Sequence, residues 1–259
     1  MAEIASITRY GNTEPFGLQI ARGQIAWHVP VTVWGYNPDI DQTIETVWAD
    51  GGTIPFIGAA GTMNVSSSST DDAAAGTGAR TIVIQGLDGD HNEISETVTL
   101  NGQTTVTTTK QFLHINYIYV ATTGSGKQNA GTIYVGAGVN TLGVPATVYG
   151  TIYTNLNAST TACYTIPAGY TGYVVTGGIS LGQDTGSTGV TGYLLTRDPV
   201  ADIARVVAVA SFSNGSSEYD FQLPLRVPEK YSIEARAVGK SNNNLVSAHF
   251  QIILIKNDA

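Results

Sequence analysis

Apolar and polar residues alternate with a period of two along much of the chain, most plainly near its C-terminal end. In 231–237, Tyr231, Ile233, Ala235 and Ala237 alternate with Ser232, Glu234 and Arg236. In 246–254, Val246, Ala248, Phe250, Ile252 and Leu254 alternate with Ser247, His249 and Gln251. Successive side chains of a strand point to opposite faces, so each segment predicts a strand with one face in a core and one toward solvent. Segment 203–212 alternates as well, but both of its faces are apolar, which predicts a strand covered on both sides.

Upstream, 81–85 (TIVIQ), 93–100 (EISETVTL), 103–109 and 112–120 are successive strand candidates, followed by 132–135 and 147–153. Asp88-Gly89 and Asn101-Gly102 separate the earlier ones, and such pairs supply the positive φ values of tight hairpins. The strongest hairpin expectation is therefore 93–100, Asn101-Gly102, 103–109. One segment predicts a short helix. Asn37-Pro38-Asp39 offers a cap and a proline at the first helical position, Ile40, Ile44, Val47 and Trp48 follow at helical spacing, and Gly51-Gly52 supplies an end. The β-branched Thr43, Ile44, Thr46 and Val47 support an extended alternative with Ile40, Ile44 and Trp48 on one face.

These patterns predict an all-β protein of two β-sandwich (jelly-roll-like) domains preceded by an extended N-terminal arm. The expected boundaries are an arm over 1–52, a first β domain over 53–150 and a second over 151–259, each domain with about seven strands.

Composition changes the picture in one respect, since charged residues are only 12% of the 259 and the net charge is −8. Residues 1–196 hold 5 Lys/Arg against 13 Asp/Glu, whereas 197–259 hold 7 of each. Nucleic-acid binders present Lys/Arg clusters that displace counterions from phosphates, and none exists here, so no nucleic-acid partner is expected. No apolar run reaches the ~18 residues of a membrane span and no secretory signal is visible, so no membrane partner is expected. A single Cys163 excludes an intrachain disulfide.

Candidate chemistry is sparse. Gly124-Ser125-Gly126-Lys127 resembles the end of a phosphate-binding loop, but position 121 is Ala and position 128 is Gln, so the motif fails. Asp88, Asp90 and Asn92 have the spacing of calcium ligands without the glycine and glutamate of an EF-hand, and an ordinary Asp-rich turn explains them better. His28, His91, His114 and His249 are scattered, without zinc spacing, and no nucleophile elbow occurs. No catalytic residue, metal or cofactor is expected, and the chain does not read as an enzyme.

The most informative cluster is aromatic. Trp27, Trp34 and Trp48, the only tryptophans, stand close together with Tyr36, among Pro30 and Pro38. Too many prolines occur for a central strand, so the segment fills the edge of a β domain or reaches a neighbouring subunit. On the second reading Trp27, Trp34, Tyr36 and Trp48 are the candidate subunit interface.

The stretches WGYNPDIDQTIETVWADGG, TIPFIGAAGTMNVSSSSTDDAAAGTGARTIVIQGLDG and NEISETVTLNGQTTVTTT, with the closing VPEKYSIEARAVG and VSAHFQIILIKND, resemble virion structural proteins of tailed bacteriophages, notably marine and cyanobacterial ones. The resemblance implies an oligomeric particle component built from β-sandwiches. Fibre-like repeats and heptads are missing, as are basic segments for DNA contact. The expectation is therefore a capsid decoration (cement or knob) protein on the outer shell, a homotrimer bound to the major capsid protein. The alternative is a tail or neck-associated adhesion module that binds glycans through Tyr170 and Tyr173.

Overall fold

The computed structural model describes residues 8–9, 12–182 and 189–258. Among these the protein is all-β, with one six-residue helix, α1 (Phe16–Ala21). In chain order the strands are β1 (Thr8–Arg9), β2 (Asn12–Thr13), β3 (His28–Ile40), β4 (Glu45–Thr46), β5 (Asn64–Ser67) and β6 (Ala79–Leu87). There follow β7 (Glu93–Thr99), β8 (Val106–Thr107), β9 (His114–Thr123), β10 (Ile133–Thr141), β11 (Val144–Ile152) and β12 (Cys163–Thr165). The last six are β13 (Tyr170–Gly182), β14 (Val190–Asp198), β15 (Ile203–Phe212), β16 (Gly215–Val227), β17 (Ser232–Gly239) and β18 (Asn244–Lys256).

Two sheets, β11-β10-β5-β8 and β7-β6-β9, share one hydrophobic cluster that includes Val65, Ile82, Ile84, Phe112, Ile118 and Ile133. Two others, β16-β13-β18-β3 and β12-β17-β14-β15, share a larger one that includes Val33, Val174, Leu194, Ile233, Phe250 and Ile252. The apolar phases of 231–237 and 246–254 place Ile233, Ala235, Ala248, Phe250 and Ile252 in that second core, as expected. The expected solvent face of 231–237 is corrected, since Ser232 and Glu234 are buried as well. Full burial of a side chain such as Phe250 is worth about 2–3 kcal/mol. A third, small cluster of Trp48, Ile54, Val148 and Cys163 joins the two sheet pairs.

The predicted helix over 37–52 is absent. The strand β3 runs through Asn37 and bulges at Pro38-Asp39, because β18 pairs Val246 with Asn37 and Asn244 with Ile40. The β-branched residues of this segment suit a strand, and β4 adds Thr46 opposite Arg236 of β17. The extended arm is corrected with it: 28–40 is an integral edge strand paired along β18, and 45–46 belongs to the neighbouring sheet.

The hairpin expected across Asn101-Gly102 is also absent. Gly102 has the positive φ of such a turn, +60°. The chain there leaves β7, which pairs with β6, and crosses to β8, which pairs with β5 in the other sheet. Non-local bonds hold the crossing, from Ser67 N–H to Gly102 O at 2.9 Å and from Gly102 N–H to Asp72 O at 2.8 Å. The reading of 203–212 as covered on both faces is corrected too. Val207, Ala208, Ala210 and Phe212 pack on the core, but Ile203, Val206 and Val209 are 50–58% exposed. β15 is the terminal strand of its sheet, and Ile203, Val206 and Val209 are left uncovered by the described residues.

Candidate functional site

Residues 41–54 tie the sheet pairs together. Glu234, buried on β17, forms a two-bond ion pair with Arg236 (2.9 Å each) and accepts a hydrogen bond from Thr46 Oγ1. Thr46 Oγ1 in turn accepts the Ile54 N–H at 2.9 Å. Glu45 accepts the N–H groups of Gly52 (2.9 Å) and Asp41 (3.2 Å) and the Asn37 amide (3.3 Å). A buried charge is costly unless it is paired or hydrogen-bonded, and here Glu234 is paired with Arg236 while Glu45 is held by the N–H groups of the loop it closes. Gly35 is required where this loop meets β3, since a side chain would collide with Val47 O and Ala162.

The four aromatic residues expected at an interface separate. Trp48 is 2% exposed, donates its indole N–H to Gly51 O (2.8 Å) and Gly52 O (3.0 Å), and fills the junction cluster. It is a core residue and not a subunit contact. Trp34 and Tyr36, two positions apart, share the face of β3 opposite Val33. The Tyr36 ring packs on Tyr153 at 5.5 Å, and burial followed by the Tyr153 charge raises its phenol pKa. Trp27 is 57% exposed beneath Lys256, whose ammonium lies 4.9 Å from the ring centre.

A cleft of about 720 Å³ lies between β3 and the β7-β6-β9 sheet. One wall is the run Pro30, Val31, Thr32, Val33 and Trp34. The floor includes Ser95, Gln85 and Tyr117, which are register partners across three neighbouring strands. Asn116, Thr161 and Tyr164 also line it. The Asn116 amide is locked in a reciprocal pair with the backbone of Thr165, 2.9 Å in both directions, which couples β9 to β12. Burial and then Tyr119 raise the Tyr117 phenol pKa, so it stays a hydroxyl donor. The Thr161 Oγ1 is buried and has no hydrogen-bond partner among the described residues.

A smaller cavity of about 320 Å³ is lined by His91, His114, Phe56, Arg197, Asp202 and Ser232. The two imidazoles lie 5.3 Å apart, and Arg197 sits 4.0 Å over the Phe56 ring while bonded to Asp202. Burial, the neighbouring His91 and Arg197 lower the pKa of His114 to about 4. His91 is lowered by burial and then by Lys230.

In the loop 88–92, Asp88 accepts the N–H groups of Asp90 and Asn92 (both 2.9 Å) and the Asn92 amide (3.2 Å). Its carboxylate is thus used by the turn itself. Cys163 is buried, and burial and then Glu234 raise its thiol pKa well above the ordinary value, which disfavours the nucleophilic thiolate. Tyr170 and Tyr173 are half-buried on β13. The cleft and the histidine cavity escape sequence reading because their residues lie far apart in the chain. The local signals are Trp34, already singled out in the aromatic cluster, and Tyr117, which shares a phase of β9 with Tyr119 at 5.8 Å between ring centres. No helix among the described residues is long and apolar enough to cross a membrane.

No family model and no curated protein matches the chain. Among solved structures, the crystal structure of the infectious bursal disease virus VP2 subviral particle aligns over 88% of this chain and 72% of that one. The identity is 8% and the TM-score 0.22, too low to support an argument about fold or function.

Proposed function

We propose that the chain is a non-enzymatic structural protein of a tailed-phage virion, a capsid decoration protein that binds the major capsid protein as a homotrimer on the outer shell. The resemblance to phage virion proteins motivates this reading, and the observation that carries it is the apolar surface along β15 and its flanking turns. Val200 (95% exposed), in the turn before β15, and Val209 (58%) stand there with Val206 and Ile203, while Leu223 (87%) is exposed separately on β16. Single exposed apolar residues are ordinary, but a group on an edge strand marks an interaction surface. Each sheet pair is read as a β-sandwich, supported by the shared core clusters.

Phe16, Leu18 and Trp27, all about half-exposed, add a second apolar group for a neighbouring subunit. Copy number in purified particles tests the reading. Hundreds of copies per virion support decoration, whereas a handful points to the tail or neck. Val206→Lys with Val209→Lys is expected to abolish capsid binding while leaving the thermal midpoint nearly unchanged.

A further inference from the structure

We propose that the cleft between β3 and the β7-β6-β9 sheet binds a neutral oligosaccharide. This inference does not depend on the assembly role. At about 720 Å³ the cleft has the size of a ligand site, for which roughly 300–1,000 Å³ is usual. Its lining suits a sugar, which presents a flat apolar C–H face and a rim of hydroxyls. Trp34 and Tyr117 offer half-buried rings for the apolar face. The exposed Gln85 amide and the Ser95 and Thr32 hydroxyls offer donors and acceptors for the rim.

An independent observation points to a ligand in this place. Thr161 lines the cleft at 5% exposure, and its Oγ1 has no hydrogen-bond partner among the described residues. A buried hydroxyl left unpaired is costly, and a ligand hydroxyl would satisfy it once the Thr161 side chain, its Oγ1 closed off from water, turns toward it.

Charge selects the class of ligand. Glu93 is the only charged residue in the lining, which contains no Lys, Arg or His. Lys110 stands at the edge with its ammonium bonded to Ser95 O at 2.6 Å, so a phosphorylated, sulfated or nucleic-acid ligand would face Glu93 with no cation in the lining itself. An extended peptide is disfavoured by the wall itself. The Tyr36 N–H bonds outward to Thr160 O, and backbone groups alternate sides along a strand. Thr32 and Trp34 therefore point their backbone groups into the cleft, and Pro30, on the same side, has no N–H to give. Two residues make too short a ladder for strand addition.

The test applies the full chain to an array of neutral, anionic and cationic glycans together with extended peptides, then measures the best neutral hit by titration calorimetry. Retention of at least one neutral oligosaccharide with 1:1 stoichiometry is expected. Trp34→Ala and Gln85→Ala should each weaken it at least about tenfold, as truncation of an interface anchor does. Thr161→Val should weaken it too, and Trp27→Ala, outside the cleft, should leave it unchanged. Gln85→Ala alters an exposed side chain, so it keeps the test decisive if Trp34→Ala fails to fold. Retention of no neutral glycan, of anionic glycans or peptides alone, or of a neutral glycan indifferent to Gln85→Ala would overturn the proposal.

Discussion

Acid should loosen this protein through His114 in particular, and the size of the effect can be worked out. The ring stands against Phe56 (5.9 Å) and His91 (5.3 Å), near the Arg197 guanidinium, so the imidazolium would lose hydration and face other positive groups. In the folded chain its pKa is about 4, against an ordinary 6.5. Because the folded value is the lower, the unfolded chain takes up the proton first as pH falls. The contribution is complete above about pH 6.5 and is lost progressively between there and about pH 4. Over that whole interval it amounts to roughly 3 kcal/mol, of which about 2.5 kcal/mol is gone by about pH 4.5. That is a large part of the ~5–15 kcal/mol that holds a typical domain together. His91 is shifted in the same direction and adds to the loss. Urea unfolding of the wild type and His114→Gln, followed by far-UV circular dichroism from near pH 7.5 to about pH 4.5, separates this term from the carboxylates, which titrate in both proteins. The wild type should lose about 2–3 kcal/mol more than the variant over that range. Parallel profiles, agreeing within about 0.5 kcal/mol, would refute the assignment.

Three further outcomes follow from other sites. Asp72 is fully buried and accepts hydrogen bonds from Ser67 Oγ (2.6 Å) and from the N–H groups of Ala79 (2.7 Å), Ala130 (2.8 Å) and Gly131 (2.9 Å). Asp72→Ala leaves these donors unpaired and should cost about 3–5 kcal/mol in chemical denaturation, with Asp72→Asn roughly half as damaging; a loss under about 1 kcal/mol speaks against the role. Trp48→Ala should cost about 3–5 kcal/mol and, because the residue bridges the two sheet pairs, speed limited proteolysis within 41–62. Deleting residues 2–24 should leave a folded chain with weakened assembly, whereas deleting 2–50 removes one of the two partners of β18 together with β4 and Trp48 and should yield an unfolded product by circular dichroism.

What could be read in the sequence is what a residue decides with its near neighbours. The alternation of 246–254 survives in β18 because one of its sides faces a core, and a period of two needs no distant information. In 231–237, by contrast, Ser232 and Glu234 are buried too, against Thr165 and Thr46 from neighbouring strands and Arg236 of their own. Pro30 and Pro38 excluded a central strand, and β3 is indeed at an edge, with Pro38 in its bulge. The misreadings share a different cause. Gly102 does take the positive φ that Asn-Gly announces, yet whether such a turn closes a hairpin or carries the chain to another sheet depends on Ser67 and Asp72. The tryptophans looked like one group because they are close in sequence. Trp48 is buried since Thr46, Glu234 and the two glycines fold its loop onto the junction, while Trp27 precedes β3 and lies outside that loop.

The cleft follows from the same distinction. Gln85 and Ser95 occupy the polar phase of β6 and β7, which in an isolated sheet is merely the face toward water. Placing β3 across from the β7-β6-β9 sheet turns that face into the floor of a cleft walled by Thr32 and Trp34. A residue type on a strand's solvent face therefore acquires a role only through topology. The unpaired Thr161 hydroxyl, invisible as one threonine among many in the sequence, becomes informative only once its surroundings are known.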